Sequence, residues 1–370
     1  NGPNVFGRLS ALTGRMTQAL LDPTEARMHI YVDDPCTTIK GTPARRKRIV
    51  TLICIFWLAI NWGLSMHKAQ QGPKVTWIGF GLSVTDVDVS AEIKEDFMKD
   101  FRKLLAHTRK QRWISVQSLR SFAGKSNHIA NLLFSWRPFL TQLWGASSNP
   151  EKATAPKGGI WVKQISTTLS WLHCFMSCST GKLKRCWTFE SLLNPVARVV
   201  LILDASPFGL GGVLIIDDVI VSWFTSELTV VDEKRFSHVI GDSAGQQTWE
   251  TLCILVALNL WLPHWQHLQM LVTVKSDNIT ALTSAVKLKE SASTLLAREL
   301  ALLYTSADFQ PRCEHIPGAM NVMADALSRV CDPAFDGKVP DLLAGVPRAY
   351  PPKRGSTYYR TLAANDGRLA

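Results

Sequence analysis

Four carboxylic acids in the second half of the chain, Asp204, Glu250, Asp277 and Asp325, sit where acids can act together. Val199-Val200-Leu201-Ile202-Leu203 is a continuous apolar run, the pattern of a strand buried on both faces, and Asp204 ends it. Residues 268–275 read as another strand, ending in Ser276-Asp277-Asn278. Ligand sites in open mixed sheets lie beyond the carboxyl ends of neighbouring strands, so the two aspartates meet if their strands lie side by side. Glu250 falls in the first turn of a helix expected over 248–262, and Asp325 in a short helix over 321–329. Four carboxylates gathered together repel one another unless divalent cations neutralise them. Mg2+, with Mn2+ as a substitute, takes hard oxygen ligands and keeps several waters, which leaves room for a phosphate. Two such ions about 4 Å apart activate a water and stabilise the leaving oxygen in phosphodiester hydrolysis. Each acid alone has a plainer account: a turn former after a strand, a charge complementing a helix dipole, or a solvated helix residue. The combination is far more specific than any member.

A second pair of acids lies near the start, in Tyr31-Val32-Asp33-Asp34, which closes a short strand and opens a hairpin. Asp33-Asp34-Pro35 is also an ordinary tight turn by composition. His173, Cys174, Cys178 and Cys186 invite a zinc reading, but their spacing fits no common finger and they fall in a stretch that reads as helical.

The elements that must position these groups follow from periodicity. Residues 8–21 have helical spacing, with Leu9, Leu12, Met16 and Leu20 on one face, and 27–31 read as a strand. The uncharged stretch 49–66 follows Arg45-Arg46-Lys47-Arg48 and reaches membrane-spanning length. Asn61, Gly63 and Ser65 interrupt it, so a buried helix leading through a glycine break into a strand over 75–82 is preferred to a membrane span. Residues 92–112 form an amphipathic helix with Ile93, Phe97, Phe101, Leu104 and Leu105 as its stripe, and 118–143 continue helical. Lys99, Arg102, Lys103, Arg109, Lys110, Arg112, Arg120 and Lys125 make that region a candidate phosphate-contacting face. A linker is expected over 145–159 and mostly helix over 161–187. Strands over 199–203, 213–216 and 219–224, turning at Asp217-Asp218, imply an antiparallel meander. Helix, strand, helix, strand and helix follow over 248–262, 268–275, 279–304, 309–316 and 321–329, and 332–370 reads as a linker or tail.

At this point the residues carry a resemblance. Leu203-Asp204-Ala205-Ser206, Trp249-Glu250, Ser276-Asp277-Asn278 and His315-Ile316-Pro317-Gly318, followed by Ala324-Asp325-Ala326-Leu327-Ser328-Arg329, resemble the ribonuclease H domain of retroelement polyproteins. The final string is the most specific signal in the chain. The resemblance implies that Asp204, Glu250, Asp277 and Asp325 are the catalytic, metal-binding acids, and that the substrate is the RNA strand of an RNA:DNA hybrid. Relatives carry a His in a longer loop before the last Asp; here the segment from Gly318 to Ala324 contains none, which leaves His315 as structural or substrate-facing. The tetrapeptide at 31–34 resembles the catalytic hairpin of reverse transcriptases, making Asp33 and Asp34 catalytic and metal-binding there. Gly63-Leu64-Ser65 to Lys68 and Trp77-Ile78-Gly79 fit the same family, whose members grip primer and approach the incoming nucleotide's phosphates with such elements. Residues 119–143, with Gly124-Lys125 and Arg137-Pro138-Phe139-Leu140, are similar to the thumb and connection of DIRS-type enzymes. The resemblance covers roughly residues 5–331 and extends to DIRS-type or gypsy-type elements. It implies nucleic-acid contacts at Tyr31, Lys68, Trp77, Gly79, Lys125, Asn278 and His315.

The chain has 370 residues, 46% of them apolar and 19% charged, with a formal net charge of +11. That excludes a disordered chain and suits a polyanionic partner. The eight cysteines are scattered through apolar runs rather than arranged as a disulfide framework, which points to a reducing, intracellular setting, cytoplasmic or nuclear. The fold expected is α/β: 1–85 as the C-terminal part of a polymerase palm, 86–145 as thumb and connection helices and 146–195 as a linker with a connecting helix. A ribonuclease H-like mixed five-stranded sheet with flanking helices is expected over 196–331, then a tail over 332–370. The expected partners are RNA:DNA hybrid and primer-template nucleic acid, with no membrane. Two other function classes fit the same residues: an inactive nucleic-acid-binding remnant, and a transposase- or integrase-like nuclease. A polymerase needs a further Asp on a strand before the hairpin, and the only one upstream of Asp33 is Asp22, in the turn Leu21-Asp22-Pro23. The chain therefore reads as N-terminally truncated, and the expected outcome of a primed-template assay on it is no incorporation of labelled nucleotide.

Overall fold

Small side chains set the first contact of the fold. Helix α1 (Gly2–Ala19) turns Ser10, Thr13, Gly14 and Thr17 inward, and the position a Cβ would take at Gly14 lies 3.6 Å from the Ile30 Cβ on strand β1 (Ala26–Tyr31). Leu9, Leu12 and Met16 lie on one helical face as expected and Leu20 follows just past the helix end, but all four are exposed. The reason is close approach: Thr17 accepts a 2.6 Å hydrogen bond from the Trp57 indole, which a bulkier inward face would prevent. This computed structural model describes residues 2–149, 153–177, 182–189, 198–265, 271–288, 293–307, 309, 311–355 and 357–363.

The chain divides into two units, Asn1–Asp86 and Val87–Ala370. In the first, β1 pairs antiparallel with β2 (Asp34–Ile39), from Ala26 opposite Ile39 to Tyr31 opposite Asp34. Gln18 splints β1 by donating to the Ala26 carbonyl and accepting from the Met28 amide. Helix α2 (Pro43–Ala59) starts on a Thr42 cap with Pro in its first turn, and buries Ile49, Ile53 and Trp57 against Leu21 and Ala26. It is shorter than the 49–66 stretch suggested, and Val50, Leu52, Ile55 and Leu58 on its other side are exposed. Among the described residues no helix is long and apolar enough to cross a membrane. Strands β3 (Lys74–Trp77) and β4 (Phe80–Val84) form a hairpin turning at Ile78-Gly79, both at positive φ.

The second unit opens with β5 (Asp88–Ile93), α3 (Glu95–Lys110), the short β6 (Trp113–Ile114) and α4 (Val116–Leu132). The helix expected over 118–143 breaks after Leu132, because Pro138 cannot donate into a continuing helix, and restarts as α5 (Arg137–Ser148). β7 (Ile160–Trp161) pairs with β6 just past the linker expected over 145–159. The region 161–187 is helical over its first part, where a 3-10 turn at Val162–Ile165 leads into α6 (Ser166–Met176), but it ends in a strand, β8 (Lys184–Thr188), which pairs antiparallel with β5. Its Cys186 and Trp187 suit a pleated, half-buried strand. Stacked and tilted rings of Phe101, Phe122, Trp136, Phe139, Trp171 and Phe175 knit α3 to α6 together.

The rest of the unit is a mixed five-stranded sheet, which makes the α/β expectation correct. Its strands are β9 (Arg198–Ala205), β10 (Gly209–Ile216), β11 (Val219–Glu227), β12 (Leu271–Ser276) and β13 (Arg312–His315), in the order β11-β10-β9-β12-β13. β9 is antiparallel to β10 and parallel to β12, and β12 is parallel to β13. The β10–β11 hairpin turns at Asp217-Asp218, both at positive φ as a tight two-residue turn demands. Helices α7 (Val230–Phe236) and α8 (Gln246–Trp261) separate β11 from β12; α9 (Ile279–Lys287) and α10 (Thr294–Ala307) separate β12 from β13. The expected strand residues 268–270 lie outside the described residues, as does Cys178. α11 (Val322–Ser328) covers the sheet face opposite α8, because Gly209 and Gly211 leave no side chain between β10 and the helix: a Cβ at Gly211 would sit 2.4 Å from the Ser328 amide nitrogen.

The segment read as a linker or tail is packed into this unit. Leu343 joins Val213, Trp223 and Leu327 in one buried cluster. The Trp223 backbone accepts from Ala349 and donates to Pro347, covering part of the exposed edge of β11. Arg354 reaches Asp232 with Nε and Nη2 each 2.9 Å from a carboxylate oxygen, and Nη1 donates to Ser226. Both side chains of this ion pair are essentially inaccessible, at 3% and 0% exposure. Thr361, in the short helix α12 (Arg360–Ala363), donates from its amide to the buried Glu299 on α10. Removing one partner of a buried pair strands the other charge and costs about 3–5 kcal/mol. Arg354→Met is therefore expected to lower unfolding free energy by about that amount, and adding Asp232→Asn to recover a large part of it, as read by urea denaturation.

Candidate metal centre

The register of two parallel neighbours builds the site. β9 and β12 pair from Arg198 opposite Leu271 to Ile202 opposite Lys275, so Asp204 and Asp277, each two residues further on, leave the sheet at the same level. Glu250 arrives from α8, which begins at Gln246 rather than 248 and so holds the glutamate at the start of its second turn, not in its first. Asp204, Glu250 and Asp277 each offer a carboxylate oxygen, and these oxygens all lie within 4.8 Å of one another. Gln246 donates from Nε2 to Glu250 Oε1 at 3.0 Å and to the Ala205 carbonyl, tying the helix to the strand end. Gly318 admits the Asp277 side chain, since a Cβ there would meet Asp277 Oδ2 at 3.0 Å.

Asp204 is held on both oxygens. Ser328 Oγ donates to Oδ2 at 2.7 Å and Asn321 Nδ2 donates to Oδ1 at 3.3 Å, while the same Asn321 amide reaches the Leu203 carbonyl. Burial, followed by the charges of Asp277 and Asp325, pushes the Asp204 carboxyl up to about 7 despite the Ser328 hydrogen bond. Burial and the charge of Asp204 raise Glu250 well above the usual carboxylate range. Asp325, the fourth expected acid, is near enough to act on Asp204 but does not join the cluster. Its Oδ1 pairs with Arg329 one turn on, 2.7 Å from Nη2 and 2.8 Å from Nε.

The other expected contact residues have definite places. Asn278 caps α9, accepting from the Ala281 amide. His315 is exposed at the end of β13, opposite Ser276. Lys125 is exposed on α4. In the first unit Tyr31, Asp33 and Asp34 are exposed around a turn whose Val32 adopts φ 56°, costly for a β-branched residue. The Trp77 indole donates to the Asp34 carbonyl at 3.0 Å, Gly79 turns the next hairpin, and Lys68 is exposed in a single 3-10 turn. Asp22 caps its own turn by accepting from the Thr24 amide and hydroxyl. Among the described residues the trio is the one group of three or more potential ligands, so neither the Asp33-Asp34 pair nor His173, Cys174 and Cys186 forms another. Sequence reasoning missed Gln246, Asn321 and Ser328 as partners of the acids. Their signal was spacing: 246 and 250, and 321, 325 and 328, recur on one helical face.

Between the pH at which an unfolded aspartate loses its proton, about 4, and the value of about 7 for Asp204, the folded metal-free protein binds more protons than the unfolded chain. Stability therefore falls as pH rises through that window, and the cost is fully present above it. In chelator, Asp204→Asn is expected to melt above the parent at about pH 8, with the gap closing towards about pH 4. Identical melting temperatures at the higher pH would contradict the crowding of the three carboxylates.

No protein-family model matches the chain, and no curated protein matches it. Solved structures are similar at low identity. The foamy viral protease-reverse transcriptase dRH in complex with double-stranded DNA is 16% identical at a TM-score of 0.38, over 85% of this chain and 49% of that one. The foamy viral protease-reverse transcriptase with double-stranded DNA is 18% identical, TM-score 0.34, over 84% and 58%. The same protein with RNA/DNA hybrid is 17% identical, TM-score 0.36, over 92% and 39%. The chain spans about half the length of the structures it resembles.

Proposed function

We propose that the chain is a reverse transcriptase and ribonuclease H region of a retrotransposon polyprotein, of DIRS or gypsy type. Its C-terminal unit hydrolyses the RNA strand of RNA:DNA hybrids with divalent cations. The observation that carries this reading is the meeting of Asp204, Glu250 and Asp277 at the carboxyl ends of two adjacent parallel strands, Asp204 from the last residues of β9, Asp277 just past β12 and Glu250 from α8. The donor set fits Mg2+ or Mn2+: every ligand is a hard oxygen, and two of the three carboxylates are buried where an uncompensated charge is costly. Bound there, the ions supply an activated water and a stabilised leaving oxygen. Asp204 and Glu250 hold their carboxylates through Ser328, Asn321 and Gln246, and Asp277 presents its own from the more open side. Asp325 is the fourth acid of the proposed set.

Asn278, at the cap of α9, and His315, at the end of β13, are proposed to face the hybrid. The exposed cations of α3 and α4, Lys125 among them, are proposed to follow its phosphates. In the first unit, Asp33 and Asp34 with Tyr31, Lys68, Trp77 and Gly79 are proposed as part of an RNA-directed DNA polymerase site in a longer parent. The domain limits at 85, 145, 195 and 331 are kept as proposals for the polymerase, connecting and nuclease parts.

The pairing of Asp325 with Arg329 favours a second reading, a protein that binds hybrids without cutting them. The two separate in one assay. Mg2+-dependent cleavage of a labelled hybrid is expected, absent on duplex DNA, with Asp204→Asn and Asp277→Asn each abolishing it while keeping their circular dichroism. Unchanged cleavage in Asp277→Asn rejects the site, and hybrid binding with a steep salt dependence but no cleavage selects the second reading.

A further inference from the structure

Two side chains that belong to no acid of the trio control the carboxylate at its centre. Ser328 is fully buried and Asn321 is 1% exposed, and each donates to a different oxygen of Asp204. They flank Asp325 at four residues before and three after, so the helix bearing the fourth acid is fastened to the strand bearing the first through the Asp204 carboxylate itself. The Ser328 hydroxyl also lies 2.9 Å from the Asp325 carbonyl, and its single proton favours Asp204 once that carboxyl is ionised, the form that holds a cation. Asn321 divides its two amide protons between Asp204 and the Leu203 carbonyl, which fixes the side chain to the strand immediately before the acid. The glycines at 209 and 211 let the helix lie close enough for these bonds to form.

We propose that Ser328 and Asn321 are positioning residues for cation binding: they hold Asp204 in its ligand conformation before any cation arrives and set the affinity of the trio. The proposal rests on the reading of the trio as a divalent cation site. Without Ser328 the carboxylate is held on one oxygen only, by Asn321, and binding must first restrict the other. Partners that orient a metal ligand from outside the coordination sphere typically govern affinity by about 10- to 100-fold.

The test is direct titration of the full chain with Mn2+, free ion being read by electron paramagnetic resonance with no nucleic acid present. Ser328→Ala and Asn321→Ala, each confirmed folded by circular dichroism, are expected to bind Mn2+ about 10- to 100-fold more weakly than the parent. Hybrid cleavage by either is expected to recover at high Mn2+. A merely structural role would lower melting temperature and leave the affinity of the folded fraction unchanged, and that result overturns the proposal. If Ser328→Ala does not fold, Asn321→Ala decides by the same measurement. Failure of the trio itself reads differently: a parent that binds no Mn2+, or an Asp204→Asn protein that binds as tightly as the parent, removes the cation site and this proposal with it.

Discussion

Mutual repulsion of three carboxylates in a poorly solvated corner is the constraint around which the second unit is arranged. Left alone, Asp204, Glu250 and Asp277 would drive their elements apart or retain protons that water would strip from them. The fold opposes this with hydrogen bonds that run between elements rather than within them. Gln246 ties α8 to the end of β9, Ser328 and Asn321 tie α11 to the same strand, and the glycines of β10 remove the bulk that would otherwise keep that helix away. A cluster costly to the apo protein is thereby kept at a spacing that a small hard cation can bridge.

Much of this sheet was legible from pattern alone. The run 199–203, the Asp217-Asp218 turn and the alternation of strands and helices after 246 mark the strands and the antiparallel meander, because a doubly buried strand and a two-residue turn leave few alternatives, while the pairing of β9 with β12 was only a condition. The positions of Asp204 and Asp277 follow from topology once their strands are neighbours. The pairing of Asp325 with Arg329 could not be read, since an i to i+4 ion pair and a fourth ligand look alike in sequence. The partners of Asp204 were equally opaque, because a serine and an asparagine acquire their roles only from the helix packing that glycine permits.

The helical half was less legible where burial did not follow hydrophobicity. On α1 a row of Ser, Thr and Gly is the packed face and the leucines are outside, an inversion that arises because close backbone approach was worth more than apolar area. Trp187 and Cys186 occupy a strand although the preceding residues have helical spacing, since the partner β5, which decides the matter, lies about a hundred residues earlier. The Asp33-Asp34 hairpin was placed correctly as a hairpin, and its backbone strain at Val32 was invisible from residue types.

The Arg354–Asp232 clasp joins residues 122 positions apart. On the ribosome, β11 and α7 emerge long before the arginine that neutralises Asp232, so the clasp can close only after Arg354 has been synthesised. Non-local closure of this kind slows folding, and it leaves the edge of β11 uncovered until the later segment has docked.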